Sequence, residues 1–286
     1  MTPFAEIVVV GGGITGQMVQ WAVPTAQIFD WKAQPTNVLT RNYGGNYLWE
    51  SITAPGVTCR KFHVKTVIND APATKKSILA YKMKIGKAEE DPSNWKTQFM
   101  FDQTGWEFLT MPTPRIHYNK RIIYIKSNSR TVEFDDGTKL NYGVLVSTIP
   151  LYSLLALLNW EQPIGELKFA PIYVRRVPAA ELPQTEQAKY HPTEFYVNYV
   201  SDPDMLYYRF TDRDGERHYE SLVPLPTPCH KLTPGKIHDH PGTLAVVDAL
   251  NDLGIFPFGR YGRWQSNELV HETWADIVKW RKRLVS

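Results

Sequence analysis

The chain contains 286 residues, of which 43% are hydrophobic and 21% are charged, a composition typical of a soluble globular protein with one or two domains. Its formal net charge of +3 is too small to indicate nucleic-acid binding unless basic residues are concentrated on one surface. The two cysteines, Cys59 and Cys229, are far apart in the sequence, which argues against a disulfide framework. We therefore expect a cytoplasmic protein.

The first predicted element is a buried parallel strand at residues 6–10, Glu-Ile-Val-Val-Val, which ends at three successive glycines. Because this strand begins so close to Met1, we expect no signal peptide. A short helix follows, and a second predicted strand then ends at Asp30. The order strand, glycine turn, helix, strand and acid is typical of a dinucleotide-binding unit.

The region after this unit is less regular. Residues 31–41 predict a loop, and residues 42–47 contain a second glycine turn. Residues 57–68 alternate loosely as a strand. Residues 71–105 show no single period, although residues 74–85 favour a helix, and we interpret this stretch as an inserted segment.

A clear β-pattern returns in the middle of the chain. Residues 121–125 and 131–134 predict two strands, and an Asp-Gly pair then predicts a hairpin turn because glycine tolerates positive φ. Residues 139–142 predict the next strand, and residues 143–149 a buried strand that ends at Pro150. The apolar run that includes this strand is too short to cross a membrane.

The second half of the chain predicts mainly antiparallel strands. Four strands separated by polar turns are expected at residues 169–177, 194–200, 205–211 and 217–223. A run of strands after an α/β start indicates a second domain built on a sheet. Helix, short strand, glycine turn and final helix follow, at residues 243–253, 255–258, 259–262 and 267–283.

The glycine turn has the chemistry of a dinucleotide-binding fingerprint. Gly11 permits a tight turn, Gly13 lets the backbone approach a pyrophosphate, and Gly16 lets the helix pack on the strand. The helix N-terminus offers free N–H groups and a partial positive charge to phosphates. Asp30 follows at the spacing required for hydrogen bonds from a ribose hydroxyl.

Four stretches together point to one family. They are residues 8–16, the Gly44-Gly45 doublet, residues 144–151, and residues 255–264 with the sequence Gly-Arg-Tyr-Gly-Arg-Trp. They resemble the flavin-binding amine oxidase and UDP-galactopyranose mutase superfamily, and residues 207–211 are similar to a strand that carries an arginine in mutase-like members. The resemblance spans the chain, although its middle third matches only loosely.

The resemblance implies an α/β fold in which an FAD-binding Rossmann-like domain is built from discontinuous segments and carries an inserted, mainly antiparallel-sheet substrate domain. The FAD-binding domain is expected to comprise residues 1–70, 116–160 and 246–286. Residues 71–115 would form an inserted helical or cap segment, and residues 161–245 the substrate domain.

The same resemblance, together with the fingerprint, predicts the residues that contact FAD. The glycine doublet would pass beside the flavin or its ribityl chain, Ile123 would cover the adenine, and Gly259 and Arg260 would lie against the pyrophosphate. The start of the last helix would stabilise negative charge on reduced flavin. The full predicted set is Gly11, Gly13, Ile14, Thr15, Gly16, Asp30, Trp31, Arg41, Gly44, Gly45, Asn46, Ile123, Thr148, Pro150, Gly259, Arg260, Asn267 and Glu268.

Candidate catalytic residues are fewer, because the flavin performs the redox step and the protein positions the substrate. Arg60, Lys61 and His63 lie where a strand could return beneath the flavin. Arg209 is the best substrate contact, since a guanidinium can clamp a carboxylate or phosphate with two hydrogen bonds. Residues 59–63 lack the Gly-Pro-His pattern of the mutases, which argues against their histidine-bearing flavin loop.

The predicted function is that of an FAD-dependent oxidoreductase of amine-oxidase-like type, which transfers hydride from a carbon next to an amine to flavin N5. Compact members also resemble phage-encoded flavoproteins that process amino-acid-modified thymine in DNA, which would place the protein in the host cytoplasm. One alternative is a mutase-like flavin isomerase, and another is a flavin- or nucleotide-binding interaction protein without catalysis. The expected partner is a small-molecule or base-linked amine, with no membrane.

Two further patterns are weighed against these functions. His238, Asp239 and His240 lie near a Cys-His pair, but no second pair at fixed spacing completes a metal site, so we predict no metal. The basic residues at 279–283 form the one dense cationic cluster and favour a solvated last helical turn over a phosphate-binding tail.

Overall fold

The computed structural model describes residues 2–33, 47–87, 103–162, 164–191, 195–226 and 228–285. In chain order, the elements within these ranges are β1 (Phe4–Val10), α1 (Ile14–Ala22), β2 (Gln27–Phe29), β3 (Thr58–Ile68), α2 (Lys75–Lys84), β4 (Gln103–Thr110), β5 (Ile116–His117), β6 (Ile122–Lys126), β7 (Thr131–Phe134), β8 (Lys139–Ser147), α3 (Leu151–Leu157), β9 (Phe169–Pro178), α4 (Gln184–Gln187), β10 (Phe195–Tyr199), β11 (Tyr207–Arg213), β12 (Glu216–Ser221), β13 (His230–Ile237), α5 (Thr243–Asp252), β14 (Ile255–Pro257), α6 (Gly259–Arg263) and α7 (Val270–Val285).

The first sheet has a parallel centre and an antiparallel extension. Its strand order is β5, β2, β1, β8, β7 and β6, and β14 pairs with the C-terminal half of β8. Strands β5, β2, β1, β8 and β14 are parallel, whereas β6 and β7 continue from the N-terminal half of β8 as an antiparallel meander. Val10 lies opposite both Phe29 and Ser147, so the carboxyl ends of β1, β2 and β8 meet at one edge. In open α/β sheets, ligands bind at this edge.

Helices cover both faces of the parallel centre. On one face, Met18 of α1 packs in the same cluster as Ile277 and Trp280 of α7. On the other face, Leu154 of α3 and Leu250 of α5 are fully buried. Helix α7 buries a stripe at helical spacing and leaves its basic end exposed, as expected for an amphipathic surface helix.

The second sheet is mostly antiparallel. Its strand order is β13, β9, β12, β11, β10, β3 and β4. All neighbours pair antiparallel except β10 and β3, which are parallel. One face packs with Tyr81 of α2, and the other packs with Leu182 and Tyr190 of the segment around α4. Both faces are therefore partly covered, which explains why strands such as β10 are buried at every position.

The architecture confirms the predicted fold class, a Rossmann-type α/β sheet accompanied by a mainly antiparallel second sheet. The predicted strands at residues 139–142 and 143–149 are in fact one strand, β8. The strand continues through Gly143. A Cβ at this position would lie 2.8 Å from the carbonyl oxygen of Glu6. The glycine therefore allows close approach of β1 rather than a turn.

Two strands of the second sheet, β4 and β13, were not expected from the sequence, and a third strand, β3, has partners that the sequence did not predict. Strand β4 falls in the region interpreted as helical or cap, and β13 in a region without a predicted element. The predicted boundaries place residues 57–68 in the FAD-binding domain, whereas β3 pairs with β4 and β10 in the second sheet. The alternation within β3 predicts a strand but carries no information about its partner.

Candidate functional site

The turn after β1 requires glycine at two positions, Gly11 and Gly16, each for a different reason. Gly11 has φ +105°, and a Cβ there would lie 2.6 Å from Thr148 Oγ1. A Cβ at Gly16 would collide with the carbonyl oxygen of Gly11. These two glycines are thus needed for the tight turn and for close packing of α1 on β1.

Gly13 differs from its neighbours in the turn. It is the N-cap of α1 with φ −67°, which any residue adopts, and a Cβ there would meet no atom within 4 Å. The cap has no side-chain hydrogen bond. The turn therefore presents open space at the N-terminus of a nine-residue helix, beside Ile14 and Thr15, where backbone N–H groups favour an anion.

Asp30 is fixed at the end of β2 by the backbone. Its Oδ2 accepts a hydrogen bond from Gly12 N at 2.8 Å, and its Oδ1 accepts one from Lys32 N at 3.0 Å. The carboxylate is 7% exposed and lies against the glycine turn. Trp31, the next residue in the chain, has an exposed indole (65%). The predicted acid and the predicted aromatic are both adjacent to the turn.

The end of β8 supports the same turn from the other side. Thr148 N donates to Val10 O at 2.9 Å, and its Oγ1 lies 3.1 Å from the carbonyl oxygens of both Val10 and Gly11. Pro150 is the N-cap of α3. The conformation of the glycine turn is therefore held by β8.

The turn after β14 closes a third side. Gly259 has φ +82°, and a Cβ there would lie 2.9 Å from Thr15 Oγ1. Phe258 N donates to Ser147 O at 2.9 Å, which fastens this turn to the end of β8. The N-terminus of α1, the end of β8 and the start of α6 are consequently in direct contact.

Two further predicted residues, Asn267 and Glu268, lie just before α7. The carbonyl oxygen of Glu268 accepts a hydrogen bond from Arg260 Nε at 3.3 Å. Glu268 Oε1 accepts a hydrogen bond from Thr273 Oγ1 at 2.6 Å, and burial raises the pKa of the Glu268 carboxyl. Asn267 and Glu268 line an open groove of about 600 Å³, together with Arg263 and Asp276, which form an ion pair.

The remaining predicted cofactor contacts fall in two groups. Ile123 lies at a bulge in β6, where it has no partner in the register with β7, and its side chain is 47% exposed. Arg41, Gly44, Gly45 and Asn46 lie outside the residues that the structure describes.

The predicted substrate contact Arg209 is held within the second sheet. Its Nη2 forms an ion pair with Glu220 Oε1, while Tyr208 Oη donates to Glu220 Oε2 at 2.7 Å. The guanidinium also lies 5.7 Å from the ring of Tyr199. Burial lowers the pKa of Arg209, but the Glu220 carboxylate and the neighbouring tyrosines together outweigh burial and raise this pKa well above its usual value.

The other three catalytic candidates occupy exposed positions on β3. Arg60 pairs with Glu107 of β4, and its side chain is 59% exposed. Lys61 and His63 are exposed on the same strand. The described contacts join Arg60 to the neighbouring strand rather than to the glycine turn, and the catalytic role of these three residues stays a prediction.

Sequence reasoning did not single out Lys236 of β13. Its Nζ lies 4.8 Å from the centroid of the Tyr208 ring, in the same cluster as Arg209 and Glu220. Tyr261 Oη donates to Gly235 O at 3.1 Å, which brings this strand against α6. A strand-like alternation of polar and apolar residues around Lys236 could have pointed to it, but the Pro-Gly pair directly before this lysine interrupts the alternation.

The described residues contain neither a metal-binding cluster nor a membrane-spanning helix. Within the described ranges, no group of three or more His, Cys, Asp and Glu side chains is arranged to hold a metal ion. None of the helices that the structure describes is long and apolar enough to cross a membrane.

Comparison with solved structures identifies the fold. A reduced UDP-galactopyranose mutase matches with a TM-score of 0.63 at 11% identity, covering 98% of this chain and 95% of that chain. A candidate protoporphyrinogen oxidase from Exiguobacterium sp. 255-15 matches with a TM-score of 0.53 at 9% identity, covering 98% of each chain. A triple mutant of putrescine oxidase also gives 0.53 at 9% identity, covering 100% of this chain and 99% of that chain.

The chain therefore shares its overall fold with a UDP-galactopyranose mutase and two oxidases, in agreement with the fold that the resemblance predicts. No protein-family model and no curated protein matches the sequence. The low identities mean that the fold, rather than the substrate, is what these structures share with this chain.

Proposed function

We propose that the chain is an FAD-dependent oxidoreductase in which the first sheet holds the cofactor. The observation that carries this proposal is the contact between three separated segments, the glycine turn, the end of β8 and the turn at Gly259. A pyrophosphate needs free N–H groups and close backbone approach, and Gly13 combines an uncapped helix start with open space. The residues present therefore fit FAD.

Each part of the site would hold a different part of the cofactor. Gly13, Ile14 and Thr15 would donate backbone hydrogen bonds to the pyrophosphate, and the oriented Asp30 carboxylate would accept from a ribose hydroxyl. The start of α7 would face the flavin ring. When bound, FAD supplies the hydride acceptor, and the task of the chain is to orient the substrate and exclude water.

We assign the reaction to the amine-oxidase-like type, in which hydride leaves a carbon next to an amine. Two oxidases match over nearly the whole chain, and the aromatic cluster of the second sheet supports a substrate chamber. Tyr81, Tyr199 and Tyr208 pack with ring centroids 4.9–6.4 Å apart. All three rings are almost fully buried, and an apolar layer of this kind beside the substrate would keep water from the reacting carbon.

A mutase-like flavin isomerase is the second candidate function. It is favoured by the TM-score of 0.63 with UDP-galactopyranose mutase, against 0.53 for the two oxidases. Such an enzyme would need reduced flavin but give no net oxidation of its substrate.

The test begins with the purified protein. We expect a yellow protein that releases FAD on heating and whose flavin is bleached by anaerobic mixing with an amine. Bleaching by dithionite alone, followed by turnover of a nucleotide sugar, would favour the isomerase. Retained FAD with neither reaction would indicate a binding protein without catalysis, and a colourless protein that binds no added FAD would exclude all three.

A more specific version of the amine-oxidase-like function takes an amine attached to a DNA base as its substrate. Helix α7 ends in exposed basic residues, Lys279 and Arg281 among them, which can contact phosphates. Under this form, retention on DNA should weaken steeply with added salt because phosphate contacts release counterions. Retention that is independent of salt, or absent, would remove DNA from the substrate class.

A further inference from the structure

Lys236 occupies an unusual position at the junction of the two sheets. It lies on β13, an edge strand of the second sheet, and the hydrogen bond from Tyr261 to Gly235 fastens this strand to α6 of the first sheet. Its side chain is half-buried and its Nζ lies above the Tyr208 ring at 4.8 Å. The ammonium group is therefore directed into the junction rather than into bulk solvent.

The carboxylate in this region is already engaged. Arg209 forms an ion pair with Oε1 of Glu220, and Tyr208 donates its hydroxyl proton to Oε2. Among the residues that the structure describes, Lys236 forms no hydrogen bond and no ion pair, and its contact is with an aromatic ring. A half-buried ammonium without an acceptor is costly unless a ligand supplies one.

The charges around Lys236 are predominantly positive. Arg209 approaches from β11, Arg260 from α6 and Lys87 from the segment after α2, while Glu220 of β12 is the one acid among them within the part of the chain that the structure describes. Arg260 donates to a carbonyl oxygen rather than to a carboxylate within the described ranges. Burial first, and then the charges of Arg209, Arg260 and Lys87, lower the pKa of Lys236 to about 7. Among the described residues, Arg209, Arg260 and Lys236 thus bring more positive charge to the junction than Glu220 balances, and an anion would neutralise the remainder.

We infer that Lys236 binds an anionic group of the substrate, a carboxylate or a phosphate, so that the substrate is an amine carrying an anion rather than a polycation. This inference rests on the proposed function, because it takes FAD to occupy the glycine turn. A polycationic amine would face Arg209, Lys236 and Arg260 together and would be repelled. An anionic group would replace the missing acceptor and form a charge-assisted hydrogen bond.

The experiment titrates FAD-loaded protein with inorganic phosphate and with acetate by isothermal calorimetry at pH 6. We expect saturable binding that Lys236→Met weakens about tenfold or more, the loss typical of one hydrogen bond to a charged group. Lys231→Met is the matched control, because Lys231 lies on the same strand over the Tyr173 ring and should leave the affinity unchanged. Equal affinities in wild type and Lys236→Met would overturn the inference.

A second variant separates binding from folding. The affinity of the wild-type protein for acetate, whose charge is constant over this range, should fall between pH 6 and pH 8.5 as Lys236 loses its proton, whereas Lys236→Arg should retain affinity for acetate at pH 8.5 because its guanidinium stays charged. A merely structural role would give the same pH profile in both proteins.

The same titration on protein stripped of FAD keeps this inference distinct from the proposed function. If the anion binds only in the stripped protein, and Lys236→Met weakens FAD instead, then Lys236 serves the cofactor diphosphate and the inference is wrong. If the protein binds no FAD but phosphate still binds through Lys236, the anion site stands and the proposed function fails. Anaerobic bleaching by putrescine at an affinity unaffected by Lys236→Met would also overturn the substrate class.

Discussion

At the scale of single residues, two glycines of one turn separate ligand binding from folding. A side chain at Gly13 would enter open space, whereas one at Gly16 would collide with the backbone of Gly11. We expect Gly13→Val to fold with a melting temperature close to that of wild-type apoprotein but to weaken FAD binding at least tenfold, because the side chain fills the pyrophosphate position.

The control for this prediction is Gly16→Val, which should lower the melting temperature sharply whether or not FAD is present. Thermal melts of apoprotein and fluorescence titration with FAD measure the two effects. Unchanged FAD affinity in Gly13→Val would show that the pyrophosphate does not bind at this turn.

A buried ion pair in the second sheet predicts a second residue-scale effect. Arg217 is 2% exposed, and its guanidinium contacts both oxygens of the fully buried Asp212 at 2.6 and 2.8 Å. Arg217→Met should lower the free energy of unfolding by about 3–5 kcal/mol, because Asp212 is left as an uncompensated buried charge. Urea unfolding measures this, and the double variant Arg217→Met/Asp212→Asn should recover part of the loss. Equal stability of the single and double variants would contradict this explanation.

At the scale of elements, helix α2 depends on a reciprocal cap. Thr74 Oγ1 accepts from Ser77 N at 3.1 Å, and Ser77 Oγ accepts from Thr74 N at 2.8 Å. Thr74→Ala should destabilise the protein by about 1 kcal/mol, because a backbone donor at the helix start loses its acceptor. Thr53→Ala, at an exposed position in a loop, is the matched control for urea unfolding. A loss no larger than that of the control would mean that tertiary packing alone holds α2.

Element prediction from the sequence succeeded where the signal is local. Strand β1, the glycine turn and α1 follow from a β-branched run and from glycine spacing, which act over a few residues. Strand β13 was missed because Pro234 and Gly235 normally mark a turn, yet here they lie in a strand with a shift in register against β9. A Cβ at Gly235 would lie 2.5 Å from Ile172 N, so the glycine serves close strand packing.

The candidate site shows the same division between local and distant information. The fingerprint predicts Gly13 and Asp30 as cofactor contacts, and the resemblance adds Gly259, which lies against Thr15. Lys236 could not be found in this way, because its surroundings come from strands that are distant in sequence and that pair only in the folded chain. Whether a lysine has an acidic partner depends on which acids the neighbouring residues already bind, and the spacing of residues in the sequence does not encode this.

At the scale of the whole molecule, Lys236 should make the free energy of unfolding increase with pH above neutrality. Its pKa is about 7 in the folded chain and about 10.4 when unfolded, so between these values the unfolded chain binds more protons. The free energy of unfolding of anion-free apoprotein should therefore rise from pH 7 to pH 9, and Lys236→Met should flatten this rise. Urea unfolding in a buffer without phosphate measures both profiles, and parallel profiles would show that Lys236 titrates normally.

The parallel pairing of β3 with β10 has a consequence for biosynthesis. Strand β3 emerges from the ribosome long before β10, by a time on the order of ten seconds at ordinary elongation rates. During that interval the edge of β3 that will meet β10 has no partner, and an unpaired strand edge is a template for association with other chains. The first sheet is likewise incomplete until β14 has been made. The nascent chain is therefore most vulnerable to aggregation midway through its synthesis, and the exposed charges of Arg60 and Lys61, just before the segment of β3 that pairs with β10, would oppose it.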